Sequence, residues 1–478
     1  MKTSLIRTLL ALGLGLSLEA SASDVASLRV SLLASDEDLE SRDFGTGSHF
    51  GLHLRSPELG SGLRAEAELS VLISANNAAG LNLRDNASYV RLSWRPESWS
   101  EGEGLVLTFL PLSSTRLFLG YEYPASWGRD VYGFRPLLAS GAPGGSGVPG
   151  LELRLAREHW YVFAAARSSL EANALTRENE RLLMGLAGAG VDVLPPLRLE
   201  AAGTLVQHGV IPVFAAQGRD TRARTVGVSG RILFHHGAPI GPSVDFSLYR
   251  RDPEVYEKLL APEVYPGGVS ASVSLEASHL VQTLQNPDMF DTTTDQGADV
   301  LALQARLKVD FLRVHALALA RSASFVLSEV PGVPPFIAFP QDGTHLPELL
   351  VSAGMDHHFP GTGLTPGLLV RAVLPSTTNS LGYVMGGNNP PATGNRLVVL
   401  RGPNAFSVLP EGRERQPLLT AKATLRWDVG DSLSVIGEAF YTRDPNHTVF
   451  REDENGVAQP VLERPSSVGG AAVLQARF

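Results

Sequence analysis

The 478-residue chain has no cysteine, which excludes a disulfide scaffold, a thiolate metal site and a cysteine nucleophile. Nor is it basic: 40 Lys+Arg stand against 49 Asp+Glu, for a net charge of −9. A nucleic-acid binder would need a basic patch or stripe, so no nucleic-acid partner is expected. Past the first residues no run of 18 or more apolar residues occurs, and a spanning helix needs about 20. Yet 44% hydrophobic against 19% charged residues is too apolar for a disordered chain.

Catalytic signatures are also missing. The twelve His are dispersed, and His235-His236 and His357-His358 fall at expected turns. There is no H-E-x-x-H, no G-x-S-x-G elbow, no P-loop, and no G-x-G-x-x-G between a strand and a helix. Neither an enzyme nor a cofactor or metal is therefore expected. A Ser–His pair assembled across strands is the arrangement that sequence order cannot reveal. Acidic clusters at Asp36, Glu37, Asp38, Glu40 and Asp43 and at Glu452, Asp453 and Glu454 lack EF-hand spacing, and read as solvated loop charge rather than Ca²⁺ ligands.

What the chain does have begins with a secretory signal over residues 1–22. Lys2 and Arg7 make the basic region, Leu9 to Leu18 the apolar region, and Ala20-Ser21-Ala22 the small-residue cleavage site, which puts the mature start at Ser23. Residues 23–478 then read as one domain, because a single pattern runs throughout. Leu63, Ala65, Ala67, Leu69, Val71 and Ile73 alternate with Arg64, Glu66, Glu68 and Ser70. Val269 to Ala277 and Leu419 to Trp427 alternate in the same way. Period-two alternation in blocks of about ten residues is the signature of a transmembrane β-barrel.

The last block sharpens this. Val468, Gly470, Ala472, Leu474, Ala476 and the terminal Phe478 share one face, with Ser467, Gln475 and Arg477 on the other. A signal peptide, alternating strands throughout and a final strand ending on an aromatic residue resemble the bacterial outer-membrane β-barrel proteins of the porin-like kind. The resemblance implies an outer-membrane location, surrounding lipid and lipopolysaccharide, and Phe478 as part of the signal read by the barrel-assembly machinery. It also implies small hydrophilic solutes as cargo and a homotrimer. Alternation begins within a few residues of Ser23, so no N-terminal plug domain is expected.

The fold class expected is therefore all-β, a transmembrane antiparallel barrel of about eighteen strands, within a range of sixteen to twenty. Nineteen candidate segments are found, among them 86–95, 104–123 (kinked at Pro111) and 243–251. A bacterial single-chain barrel has an even number, with short periplasmic turns and long outer loops. The parity breaks once, between Asp252 and Gly297, and eighteen is preferred over twenty. Expected outer loops include Ser35 to Gly47, Pro124 to Pro149 and Asp252 to Gly268, the Pro124 segment being either a surface loop or an inward constriction. Trp94, Tyr121, Tyr123, Trp160, Trp427 and Tyr441 fall near segment ends, where an aromatic girdle would sit.

The face opposite the apolar stripe is charged. Arg64, Glu66, Glu68, Arg91, Arg95, Arg154, Arg198, Glu200, Arg306, Lys308, Arg313, Lys422 and Arg426 are the expected lumen-lining residues, with a small basic excess over the whole wall. So many ions in a dry core would each cost several kcal/mol even after relaxation, roughly, which a water-filled lumen avoids; the alternative is that neighbours such as Glu152 with Arg154 or Arg198 with Glu200 form salt-bridge ladders along the wall with no role in solute choice. Two functions fit: a porin-like channel for passive diffusion of small hydrophilic solutes, or a surface protein with partner-binding loops and a lumen blocked by its own charge network.

Overall fold

Alternation along each segment becomes a wall whose two faces differ in chemistry. In the computed structural model, residues 25–36, 44–76, 80–128, 148–242, 245, 252, 254–258, 261, 263–328, 336–341, 343–379, 396–402, 405–454, 456 and 458–478 are described. Eighteen antiparallel staves form one closed sheet. They are β1 (Ala26–Asp36), β2 (Phe44–Arg55), β3 (Leu63–Asn76), β4 (Gly80–Asp85 and Tyr89–Trp94), β5 (Gly104–Leu110) and β6 (Gly150–Arg157). Next come β7 (Trp160–Ala172), β8 (Asn179–Leu194), β9 (Leu197–Val210), β10 (Arg222–His236), β11 (Val269–Gln285) and β12 (Thr293–Val309). The ring is completed by β13 (Leu312–Arg321), β14 (Glu348–His357), β15 (Leu364–Leu374), β16 (Leu418–Asp428), β17 (Leu433–Arg443) and β18 (Ser466–Arg477).

Each stave pairs with its sequence neighbours, and β1 pairs with β18 from Arg29↔Arg477 to Asp36↔Gly470. Leu28 and Phe478 exchange two backbone hydrogen bonds of 2.9 Å at that seam. Closure leaves no free edge, the condition for strands in lipid, where no water can satisfy an exposed backbone group. Among the described residues no helix is long and apolar enough to cross a membrane.

Eighteen is the expected number, but three segments differ from the reading of the sequence. β4 is longer than 86–95 and is broken at residues 86–88, where Ser88 bonds Asp85 and Ser70 and takes over from the ladder. The 104–123 segment stops as a strand at Leu110, because the chain then turns inward. The surplus candidate, 243–251, is not a stave, since β10 pairs directly with β11. Of its residues only Asp245 is described, outside any strand; the others, like the loop 37–43 and residues 129–147, lie outside the described residues.

The outward face is an apolar belt: Leu69, Val228, Leu301, Val351 and Leu368 are exposed, while their neighbours Ser70, Ser229, Val300 and Leu350 are buried. Trp94, Trp160, Phe234 and Trp427 point outward at one end of the barrel, where most connections are short, and form a girdle there. Tyr441 is outward too. Tyr121 is not part of a girdle, since it lies on the inturned segment beneath Arg231. In β8 the wall is thinned by glycine: the rings of Tyr161 and Phe163 lie where a Cβ on Gly190 or Gly188 would stand, at 2.3 and 2.5 Å.

The connection 237–268 corrects a second expectation. It was read as a short turn over 235–242, a strand over 243–251 and an outer loop over 252–268, but it joins the β10 and β11 ends that lie on the short-turn side. The parity of the hairpins, not the length of the insert, decides which side it is on.

Candidate functional site

Two segments enter the barrel from opposite ends. The first, 111–128, follows β5 at the long-loop end and carries Leu117, Leu119, Ala125 and Trp127 into an apolar cluster. That cluster lies against Leu280, Val300, Leu317, Leu319 and Leu350 of the wall. The wall there is apolar on its inner face because it is covered by this segment. Leu119 and Trp127 bridge each other, and Trp127 Nε1 donates to Ser328 O at 2.5 Å. The backbone N–H groups of Tyr121 and Glu122 donate to the Glu276 carboxylate at 2.7 and 2.8 Å. Glu122 in turn accepts from Arg231 (3.2 Å) and Arg306 (3.1 Å). Pro124 to Pro149 thus begins as an inward element rather than a surface loop; its central residues 129–147 lie outside the described residues.

The second segment, 237–268, enters from the short-turn end. Its carboxylates meet wall cations one after another. Asp245 pairs with Arg371 and with Lys422 (2.9 Å), and Glu263 with Lys308 (2.8 Å) and Arg313 (3.0 Å). Its short helix Val255–Lys258 brings Tyr256 flat onto His49, with ring centroids 4.0 Å apart and planes at 3°. Glu257 accepts from Arg116 of the first segment at 2.5 Å, and Arg116 also faces Glu254 at 3.5 Å. The two segments therefore touch inside the barrel. Burial alone would push the Glu257 carboxyl up; the charge and hydrogen bond of Arg116, with Arg29 behind, outweigh it and hold it well below the usual glutamate range.

The expected lumen residues fall into groups. Glu66 gathers Arg55 (3.1 Å) and Arg91 (3.7 Å), and Glu68 takes Arg29 (2.5 Å). Glu200 accepts from Tyr161 (2.6 Å) and Arg231 (2.5 Å); Arg306 meets Glu122. Lys308, Arg313 and Lys422 are buried under the second segment, and Arg426 holds Asp428 (3.0 Å) and Ala261 O (2.8 Å). Arg154 lies over the Tyr161 ring at 4.3 Å. At the short-turn end Arg198 pairs with Asp192 (2.5 Å), Arg64 reaches Glu58 (3.7 Å), and Arg95 lies just beyond β4, its N–H bonded to Gly62 O.

The ions read as lining a wet lumen or as forming ladders along the wall are largely paired, many of them with the inserts rather than with wall neighbours. Arg29, Arg116, Glu122, Arg231, Glu257 and Glu263 were not singled out from the sequence. Arg231 had a signal, standing opposite Glu200 in the β9–β10 hairpin, whereas Glu257 and Glu263 belong to no periodic pattern.

Two further expectations bear on chemistry. His49 Nε2 lies 2.8 Å from Ser70 Oγ across β2 and β3, a cross-strand Ser–His pair. Its Nδ1 has no partner among the described residues, and Tyr256 covers the ring. A triad needs a carboxylate on that nitrogen and an accessible hydroxyl, and this pair has neither. Among the described residues no three His, Asp or Glu converge as metal ligands.

No protein-family model and no curated protein matches the chain. Solved structures do. OccK5 (OpdH) of Pseudomonas aeruginosa is 10% identical, with a TM-score of 0.48 over 95% of this chain and 97% of that one. OccAB1 of Acinetobacter baumannii is 8% identical, with a TM-score of 0.48 over 96% and 99%. OccK2 (OpdF) of Pseudomonas aeruginosa, in complex with glucuronate, is 8% identical, with a TM-score of 0.48 over 95% and 97%.

Proposed function

We propose that this chain is a porin-like outer-membrane channel for passive diffusion of small hydrophilic solutes, its short-turn end periplasmic and its long-loop end outside. The observation that carries the reading is a closed ring of eighteen staves with an apolar outer belt and a charged inner face. Barrels of 16–18 strands are wide enough for an aqueous passage, whereas about eight strands are filled by their own side chains. No catalytic step belongs to this reading. Residues 1–22 serve as its secretory signal, the wall lies in lipid beside lipopolysaccharide, and Phe478 addresses the barrel-assembly machinery. Arg64, Arg91, Arg95, Arg154 and Arg198, which are not buried beneath the second segment, line the periplasmic part of the path.

Purified protein in a planar bilayer tests the reading: stepwise current increments are expected, and their absence at every voltage and salt concentration overturns it. A second reading, a surface protein with an occluded lumen, is favoured by the contact between Arg116 and Glu257, which joins the two inserts within the barrel. The same recording separates the two, because an occluded barrel passes no current.

A further inference from the structure

On β8, β9 and β10 the outward face changes character at the upper edge of the apolar belt. The outward positions of β8 from Val193 to Leu183 are apolar or glycine, and Arg181 comes next, exposed. Those ten residues, at about 3.3 Å each and a tilt of about 40°, climb about 25 Å, the height of the apolar band of an outer-membrane barrel. Arg181 therefore stands at head-group level on the long-loop side. On β9 the exposed Leu205 is followed outward by Gln207, and on β10 the exposed Val226 is followed by Arg224. Gln207 and Arg224 are register partners.

Three donor groups on this edge are left over by the protein. Among the described residues Arg181 has no hydrogen bond and no ion pair. Gln207 Oε1 accepts from the Leu183 backbone N–H at 3.3 Å, just past the last β8–β9 ladder pair, Met184↔Val206, and its amide N–H groups stay unengaged. Arg224 donates through Nε to Thr283 Oγ1 at 3.3 Å, and Thr283 donates to Asp295 Oδ1 at 2.7 Å, which holds the guanidinium in place by one edge only. The neighbouring carboxylates Glu180 and Asp220 are taken by Arg222, at 3.0 and 2.9 Å. A lone arginine at this level simply reaches up into water, as Arg443 of β17 does above Tyr441. Two guanidinium groups two strand spacings apart, about 10 Å, with an amide between them form a different arrangement. Their charge is not compensated by the protein, and a phosphate is the group that such forked donors suit.

Beside them on β10–β13 lies a groove of about 670 Å³, lined by the outward residues Val228, Ala277, Leu301 and Ala320, with the His279–Asp299 pair (2.6 Å) at its upper end. Polar donors thus stand directly on apolar surface, so the phosphate that reaches them belongs to an amphiphile. We propose that Arg181, Gln207 and Arg224 bind a phosphate of a phosphorylated glycolipid of the outer leaflet, lipopolysaccharide, one of whose acyl chains lies in the groove. The proposal deepens the outer-membrane placement given above, with the long-loop end outside, and does not rest on conduction.

Native mass spectrometry of the purified protein in detergent micelles, with diphosphorylated lipid A as the probe, tests it. Wild type is expected to retain the lipid, and Arg181→Ser with Arg224→Ser to weaken its binding about tenfold or more. Lipid A stripped of both phosphates should bind wild type and double variant alike, and Arg443→Ser should bind diphosphorylated lipid A as wild type does. Ala277→Phe, which fills the groove without changing a charge, should weaken both forms of the lipid; unchanged binding there overturns the acyl-chain part. Equal affinity of wild type and double variant for diphosphorylated lipid A overturns the site, and so does an equal loss in Arg443→Ser, since any outward cation then serves. Phosphatidylglycerol held as tightly through the same two arginines, or displacement of lipid A by inorganic phosphate alone, overturns the glycolipid as occupant. Should the double variant fail to fold, the salt dependence of wild-type binding decides, because a lipid held by its phosphate is released as salt rises and one indifferent to salt overturns the site. A barrel that binds the lipid but never conducts overturns the channel and leaves this site standing.

Discussion

Arg116 Nη2 donates to Glu257 Oε1 at 2.5 Å, joining two chain segments that enter the barrel from opposite ends and are 141 residues apart in sequence. Both side chains are part-buried, and Arg116 has a second carboxylate, Glu254, within 3.5 Å. Removing one partner of such a pair leaves a poorly solvated charge, which costs more than the pair itself contributes.

Arg116→Met should therefore destabilise the folded protein by about 2–4 kcal/mol, below the upper end for a fully buried pair because Glu257 keeps some contact with water. Adding Glu257→Leu to that variant should recover part of the loss. A double-mutant cycle on urea unfolding in detergent micelles reads the coupling, and additive losses would place the two groups out of contact.

The facing of the wall is tested by neighbouring residues with opposite fates. Leu69 is 53% exposed on the outer belt, and arginine there should cost about 2–4 kcal/mol if it lies near the bilayer midplane. Sequence reasoning alone makes Ser70→Arg benign, but Ser70 is 0% exposed and bonded to His49 and Asn86, so it should be destabilising through overpacking. Thr424, half-buried among Glu263, Asp356, Asp428, Arg313 and Arg426, is the inward position where arginine should cost least. Heat-modifiability of Leu69→Arg, Ser70→Arg and Thr424→Arg separates the three; tolerance of the first would mean the register is shifted by one residue.

Strand existence and facing were legible in the sequence because a sheet with lipid on one side writes a period of two into every stave. Leu63 to Ile73 and Val269 to Ala277 declare which side chain goes out before any contact is known. The inserts were not legible, since their burial is not periodic. Trp127 and Tyr256 are held by residues far away in sequence, and nothing near them marks the partner. The charged wall was legible as a list and not as a network. Lys308 alternates correctly, but only the fold shows that Glu263 meets it. A parity break was the one trace of the long connection 237–268, and the hairpin count fixes its side.

Acid should loosen the contact between Glu257 and Arg116. The folded-state pKa of Glu257 is depressed under its ordinary 4.5 by Arg116 and Arg29, so its contribution is fully present above that value and is lost as pH falls through the folded-state value. The groups around it are Arg29, Glu68, His49, Arg116 and Glu254. The difference in unfolding free energy between wild type and Glu257→Gln should be flat from about pH 6 to 8 and shrink below about pH 4.5. A difference that instead grew on acidification would mean that Glu257 is not held by cations.

In the channel reading, selectivity should follow the cations that the inserts leave unburied. Arg91 stacks on Tyr89 at 4.6 Å with Glu66 3.7 Å away, and Arg154 lies over Tyr161 at 4.3 Å. Lys422 and Arg426 are buried and each holds a carboxylate at 2.9–3.0 Å, so their charge is largely spent. If the open channel prefers anions weakly, Arg91→Ser with Arg154→Ser should shift the reversal potential in a salt gradient toward cations. Lys422→Ser with Arg426→Ser should shift it less and destabilise the fold more, because Asp245 loses one of its two cations and Asp428 loses Arg426. Both shifts should shrink as salt rises, since screening acts within about 10 Å at 0.1 M and about 3 Å at 1 M. Equal shifts from the two pairs would mean that ion pairing inside the barrel does not discount the buried charges, and that all four side chains face the same water.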